Sequence, residues 1–162
     1  MTKEEKSLLD MIAYSEGTLG VSNNGYDVLV GYRKIVGWTP DTAIVHGGGD
    51  WYDKKNNSSA AGRYQFLYDT WIGKSKKNLP MTKINQDNRA LDLINRRLGT
   101  FDKATLNVFS NFKKATDLLA KEWASIPLST TGRSYYNKDG INRTKVTLDD
   151  LFSVYTKALA LY

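Results

Sequence analysis

The amino-terminal segment reads as an amphipathic helix whose apolar stripe ends on a carboxylate, and few folds accommodate that. Thr2 with Glu5 three residues on is a capping box, which predicts a helix from about Lys3 to Ser15 or Glu16. Leu8, Leu9, Ile12 and Ala13 recur at helical spacing, and Glu16 continues the stripe as the i+4 partner of Ile12. The side chain is therefore expected to face the interior. Gly17 supplies the stop signal, and both partial burial and the negative helix end disfavour the charged form. A carboxyl whose pKa is raised in this way suits a general acid near neutral pH. The structural alternative is an acid at a frayed helix end.

Length and residue usage narrow the setting. A chain of 162 residues holds one domain with a real core, here expected over residues 1–162, and 41% hydrophobic residues without a low-complexity tract exclude a disordered linker. With no cysteine and one histidine, disulfides, thiol nucleophiles and the usual metal sites drop out, and no cofactor is expected. The segment Met1-Thr2-Lys3-Glu4-Glu5-Lys6 lacks the order of a secretory signal, and no apolar stretch reaches membrane-spanning length. The product is thus expected to stay in the cytoplasm until released, or to travel in a particle, without membrane insertion. The net charge of +6 fits nucleic acid, an anionic membrane surface or an anionic polymer such as bacterial cell wall. Short dispersed pairs such as Lys54-Lys55 and Arg96-Arg97 bring no nucleic-acid signature with them. Nothing in the pattern asks for an oligomer, so a monomer is expected.

From Gly20 to Ser59 glycine, asparagine and β-branched residues dominate, with Val28-Leu29-Val30, Ile35-Val36 and Thr42-Ala43-Ile44-Val45 as short strands. Helical spacing returns through Tyr64, Phe66, Leu67 and Trp71, then through Ala90, Leu91, Ile94 and Leu98. A further helix carries Leu118, Leu119 and Trp123, and a last one runs from Leu148 to Tyr162 behind the start signal Thr147 and Asp150. The expected class is α+β: a helical lobe, a small antiparallel sheet lobe inserted at about 20–59, and a cleft between them where a polysaccharide would lie.

Four motifs then stand in one order: Ser15-Glu16-Gly17-Thr18, Gly25-Tyr26-Asp27-Val28-Leu29-Val30-Gly31, Ala61-Gly62-Arg63-Tyr64-Gln65-Phe66 and Trp123-Ala124-Ser125-Ile126-Pro127. In order and spacing they resemble the lambda-phage-type endolysins, lysozyme-like lytic transglycosylases. The resemblance is strongest from about Leu9 to Trp71. It implies a lysozyme-like fold, the glycan strand of peptidoglycan as partner, and the role of catalytic acid and base for Glu16. It also implies that Gln65, closing a Gly-x-x-Gln signature with Gly62, meets substrate, its amide donating and accepting at once. Tyr26, Arg63, Tyr64, Trp51 and one of Tyr135 and Tyr136 join it as candidate substrate-binding residues. For several of these a structural role stands alongside: Tyr64 in the core, Arg63 in an ion pair, Trp51 anchoring its glycine-rich loop.

Ordinary glycosidases need a second carboxylate. Asp27, Asp50 and Asp53 are the candidates, but Asp27 more naturally fixes a turn, and the other two lie in a polar loop. Their weakness favours a transglycosylase over a hydrolytic lysozyme of the same fold. Retention of both Glu16 and Gln65 argues against a non-catalytic wall-binding or tail module. His46-Gly47-Gly48-Gly49 resembles a lipase oxyanion loop, but no Gly-x-Ser-x-Gly elbow accompanies it.

Overall fold

The computed structural model describes residues 1–137 and 144–162. Its α-helices follow in the order α1 (Lys3–Ser15), α2 (Tyr68–Ile72), α3 (Lys83–Leu98), α4 (Phe109–Leu119) and α5 (Leu148–Leu161). The chain divides into two compact units, one made of residues 1–15 and 91–162, the other of residues 16–90.

The first unit is helical, and its ends are set locally. The Thr2 N–H donates to Glu5 at 3.0 Å while the Glu5 N–H donates to Thr2 Oγ1 at 3.2 Å, so two of the orphan donors of α1 are satisfied reciprocally. Thr147 and Asp150 do the same for α5. α1 packs on α5, burying Leu8, Met11 and Ile12 together with Leu151, Tyr155 and Ala158. The Phe112 ring of α4 meets Phe152 at 5.0 Å and Tyr155 at 5.6 Å. Each of the large apolar side chains buried here contributes about 2 kcal/mol of transfer free energy. Trp123 lies beyond α4 and not on it. The helix stops at Leu119, and the chain continues in turns whose N–H groups at Glu122 and Trp123 both return to the Leu119 carbonyl.

The second unit departs from the expected sheet lobe. Among the described residues no ladder forms, and the strand candidates contribute single antiparallel bridges: Val28 with Lys34, Leu29 with Ala61, Val45 with Pro80. Around the first two candidates the cause is the spacing of left-handed residues: Asn23, Asn24, Gly25, Gly31, Tyr32 and Gly37 have positive φ and leave only short runs between them. Residues 42–45 carry no such interruption, and of them only Val45 is bridged. The same device removes the helix expected to begin at Tyr64. Gly62 and Gln65 have φ of +80° and +48°, and residues 62–65 form a reversal closed by paired Ala61 and Phe66 hydrogen bonds of 3.0 and 2.8 Å. The helix starts only at Tyr68.

Candidate active site

Glu16 is the residue after α1, half-buried, in a turn that Gly17 completes with φ of +72°. The helix stop read from Gly17 is therefore the conformational one: a left-handed position that glycine takes without a Cβ penalty. The residues on either side of Glu16 are tied down. In the first unit, buried Ser15 places its hydroxyl 2.9 Å from that of Ser125, so the Trp123-to-Pro127 motif fixes the end of α1. In the second unit, buried Thr18 donates its hydroxyl to the Arg63 carbonyl. A Cβ on Gly25 would come within 2.7 Å of the Thr18 side chain, which explains the glycine that opens the second motif.

The reversal at residues 62–65 is held from beneath by α3. Gly62 has no Cβ, and one there would collide with Gln86 Oε1. Through that gap Gln86, fully buried, accepts from the Arg63 N–H at 2.9 Å and donates to the carbonyls of Tyr26 at 3.0 Å and Met81 at 2.9 Å. One residue on, Asp87 Oδ1 accepts from the hydroxyls of Tyr26 at 2.7 Å and Tyr64 at 2.6 Å. Burial first, and then the Asp87 charge, push both phenols up, so they stay protonated and keep donating. The Arg63 guanidinium lies 5.3 Å from the Tyr26 ring centre and donates to the Asn24 carbonyl.

The predicted site residues thus separate by position. Arg63, Tyr64 and Tyr26 are 2%, 1% and 6% exposed and point into the second unit, where they join one polar network. Gln65 is half-buried, and its Nε2 donates to the carbonyls of Gly62 at 2.9 Å and Val28 at 3.2 Å. Both amide hydrogens are then committed to backbone carbonyls. Trp51 packs its ring 5.1 Å from His46 and across Gly47, as a loop anchor does. Tyr135 and Tyr136 belong to the first unit, exposed and edge-to-face at 5.1 Å, with the Tyr136 hydroxyl donating to the Lys121 carbonyl at 2.6 Å. Gln86 and Asp87 were not among the sequence candidates, although Gln86 precedes buried Ala90 and Leu93 at helical spacing.

Of the candidate second carboxylates, Asp27 and Asp53 are engaged, and Asp50 is not engaged by any described residue. Asp27 is 4% exposed, and its Oδ2 accepts from Ser22 at 2.9 Å and Asn23 at 2.7 Å. Asp53 accepts from the Asn56 N–H at 2.9 Å and pairs with Arg33 at 3.6 Å, contacts that hold its carboxyl below the usual range. Asp50 is exposed in the glycine-rich loop. In that loop Gly48 donates its N–H to His46 Nδ1 at 3.0 Å, while His46 Nε2 lies 2.8 Å from the Phe66 carbonyl. The ring is therefore the neutral tautomer with its proton on Nε2, and an N–H that an oxyanion would need is already used.

Two expected outcomes follow from this geometry. Gly62→Ala combines a left-handed backbone with a methyl in the place of Gln86 Oε1, and should cost on the order of 3 kcal/mol, read as a lower urea midpoint. Burial lowers the pKa of His46 from 6.5. Its contribution to stability is complete above pH 6.5 and is lost as pH falls from there toward the folded value, because the unfolded ring binds the proton first. His46→Gln should flatten that slope in thermal unfolding measured across pH 7 to 5; an unchanged slope would contradict it.

A family model described as Endolysin matches residues 6–161. The endolysin of Escherichia phage lambda is 29% identical over 152 residues, covering 87% of this chain and 88% of the relative. A solved structure of bacteriophage lambda lysozyme complexed with a chitohexasaccharide superposes with a TM-score of 0.65 at 26% identity, over 98% of this chain and 95% of that one. A second lambda lysozyme structure gives 0.63 at 24% identity over the same shares. The fold is that of lambda lysozyme, and the chain belongs to the Endolysin family, enzymes that degrade peptidoglycan.

Proposed function

We propose that this endolysin is a lytic transglycosylase working as one lysozyme-like catalytic domain, with Glu16 as both acid and base at the MurNAc-GlcNAc β-1,4 bond. Glu16 protonates the glycosidic oxygen as the bond to C1 of the muramic acid breaks. The C6 hydroxyl of the same sugar then attacks C1, and the Glu16 carboxylate takes its proton. The product is a 1,6-anhydro ring, and the carboxyl returns to its starting state. Because the attacking hydroxyl arrives with the substrate, no second carboxylate has to activate water.

The observation that carries this reading is the state of Asp27. Its Oδ2 is bound to Ser22 and Asn23 as a turn anchor, and its Oδ1 is buried with no hydrogen-bond partner among the described residues, so burial is what keeps the carboxyl from receiving an attacking water. Asp53 is likewise held by Arg33 and Asn56. The chitohexasaccharide bound by lambda lysozyme supports a β-1,4-linked amino-sugar strand as the ligand here. In this reading Gln65 Oε1 accepts from an N-acetyl N–H or a ring hydroxyl, and one of Tyr135 and Tyr136 steers a sugar. Tyr26, Arg63 and Tyr64 act as positioning residues, holding the Arg63 carbonyl to which Thr18, and through it the Glu16 turn, is bound. The enzyme would act on the host wall either as a free lysin or as part of a particle.

Glu16→Gln and Asp27→Asn distinguish one working carboxylate from two. Clearing of purified peptidoglycan should fall at least about 100-fold in Glu16→Gln with the unfolding midpoint preserved, since the amide cannot transfer the proton. Asp27→Asn keeps one acceptor for Ser22 or Asn23 and should retain most of the activity. Comparable losses in both variants would point instead to a hydrolytic pair.

A further inference from the structure

Tyr32 is the most costly placement of an exposed side chain in the second unit. Its φ is +62°, directly after Gly31 at +76°, so two consecutive left-handed residues reverse the chain between the bridged Val28 and Lys34. Asparagine or glycine would make the same reversal without strain, and a bulky ring is rare there. The ring is 65% exposed and stacks on no other aromatic among the described residues, so core packing does not explain it. What holds it is the far side of the turn. Arg33 donates to the Trp51 carbonyl at 2.6 Å and pairs with Asp53, while the open face of Gly31 lies against Asn56 and Asp53. A strained conformation persists only when its surroundings over-determine it, as they do here, and such strain collects at functional sites.

The near side shows what the strain achieves. A Cβ added to Gly17 would lie 3.1 Å from the Tyr32 hydroxyl, so the phenol stands directly over the residue that follows Glu16. We propose that Tyr32 is a substrate-contacting residue of the acid site, its ring packing on the face of the sugar presented to Glu16 and its hydroxyl bonding that sugar. Sugar faces of axial C–H groups pack well on an aromatic plane, and a ring already held in place loses little freedom on binding. The inference rests on the assignment of Glu16 as the acid, and gives that site a specificity element from outside the four sequence motifs. Gly17 then has two reasons to be glycine: the helix stop, and the room its missing Cβ leaves for this hydroxyl.

The test uses the full chain and chitohexaose as the probe, with affinity read by calorimetry and folding by thermal unfolding. Tyr32→Gly and Tyr32→Asn relieve the strained φ, so the melting temperature should hold or rise while chitohexaose affinity falls about tenfold. Tyr32→Phe keeps the ring and should stay within about threefold of wild type. Wild-type affinity in Tyr32→Gly would overturn the proposal, as would losses in all three variants that track a lower melting temperature. Glu16→Gln, measured beside them, separates the two assignments. If it still clears peptidoglycan the acid role fails while the Tyr32 binding result stands on its own, and if the wild type binds no chitohexaose the sugar contact fails while the acid role is judged by lysis alone.

Discussion

The second unit depends on one buried amide. Gln86 buries an amide oxygen and an amide nitrogen, and the surrounding backbone meets both: one N–H donates to the oxygen and two carbonyls accept from the nitrogen. Breaking any of these would leave a buried polar group unpaired, at a cost of about 1 to 3 kcal/mol each. The arrangement exists because Gly62 has no side chain where Gln86 Oε1 lies. In place of a sheet ladder, turn and bridge hydrogen bonds hold each loop, and one side chain joins residues 26, 63 and 81 across them.

That constraint reaches the chemistry through a short chain of contacts. Gln86 holds the Arg63 N–H, and the Arg63 carbonyl accepts from Thr18, two residues after Glu16. Asp87 adds the two tyrosine hydroxyls, and the Arg63 side chain closes on the Asn24 carbonyl. In the proposed mechanism the Glu16 carboxyl protonates a leaving oxygen and then recovers a proton from C6, and a misplacement of about 1 Å would cost roughly 100-fold in rate. On that proposal the polar residues of the Gly-Arg-Tyr-Gln motif would position it from the interior.

Legibility followed the range of the interactions. α1, α5 and their capping boxes are set within a few residues, and Thr2, Glu5, Thr147 and Asp150 announced them. The stripe itself was equally local, although Glu16, read as its last inward-facing position, lies one residue past α1 and is half-buried. Val28-Leu29-Val30 and Thr42-Ala43-Ile44-Val45 carry strand residues, and the first is bounded by left-handed positions of which Tyr32 does not declare itself by residue type, while the second pairs only through Val45 for no reason that its own residues record. Gln86 was readable in principle: a polar residue four before Ala90 and seven before Leu93 is marked by the test applied to Glu16. The Tyr32 contact with Gly17 and the Asp87 bond to two tyrosines join residues distant in sequence, and no local pattern records them.

The central claim is that one carboxyl suffices because the substrate supplies its own attacking hydroxyl. Digesting purified peptidoglycan in ¹⁸O-labelled water and weighing the released muropeptides tests it directly. The account predicts 1,6-anhydro ends, one water lighter than hydrolysis products and free of solvent oxygen. Reducing ends carrying the label would contradict it, and would require a base that activates water beside Glu16.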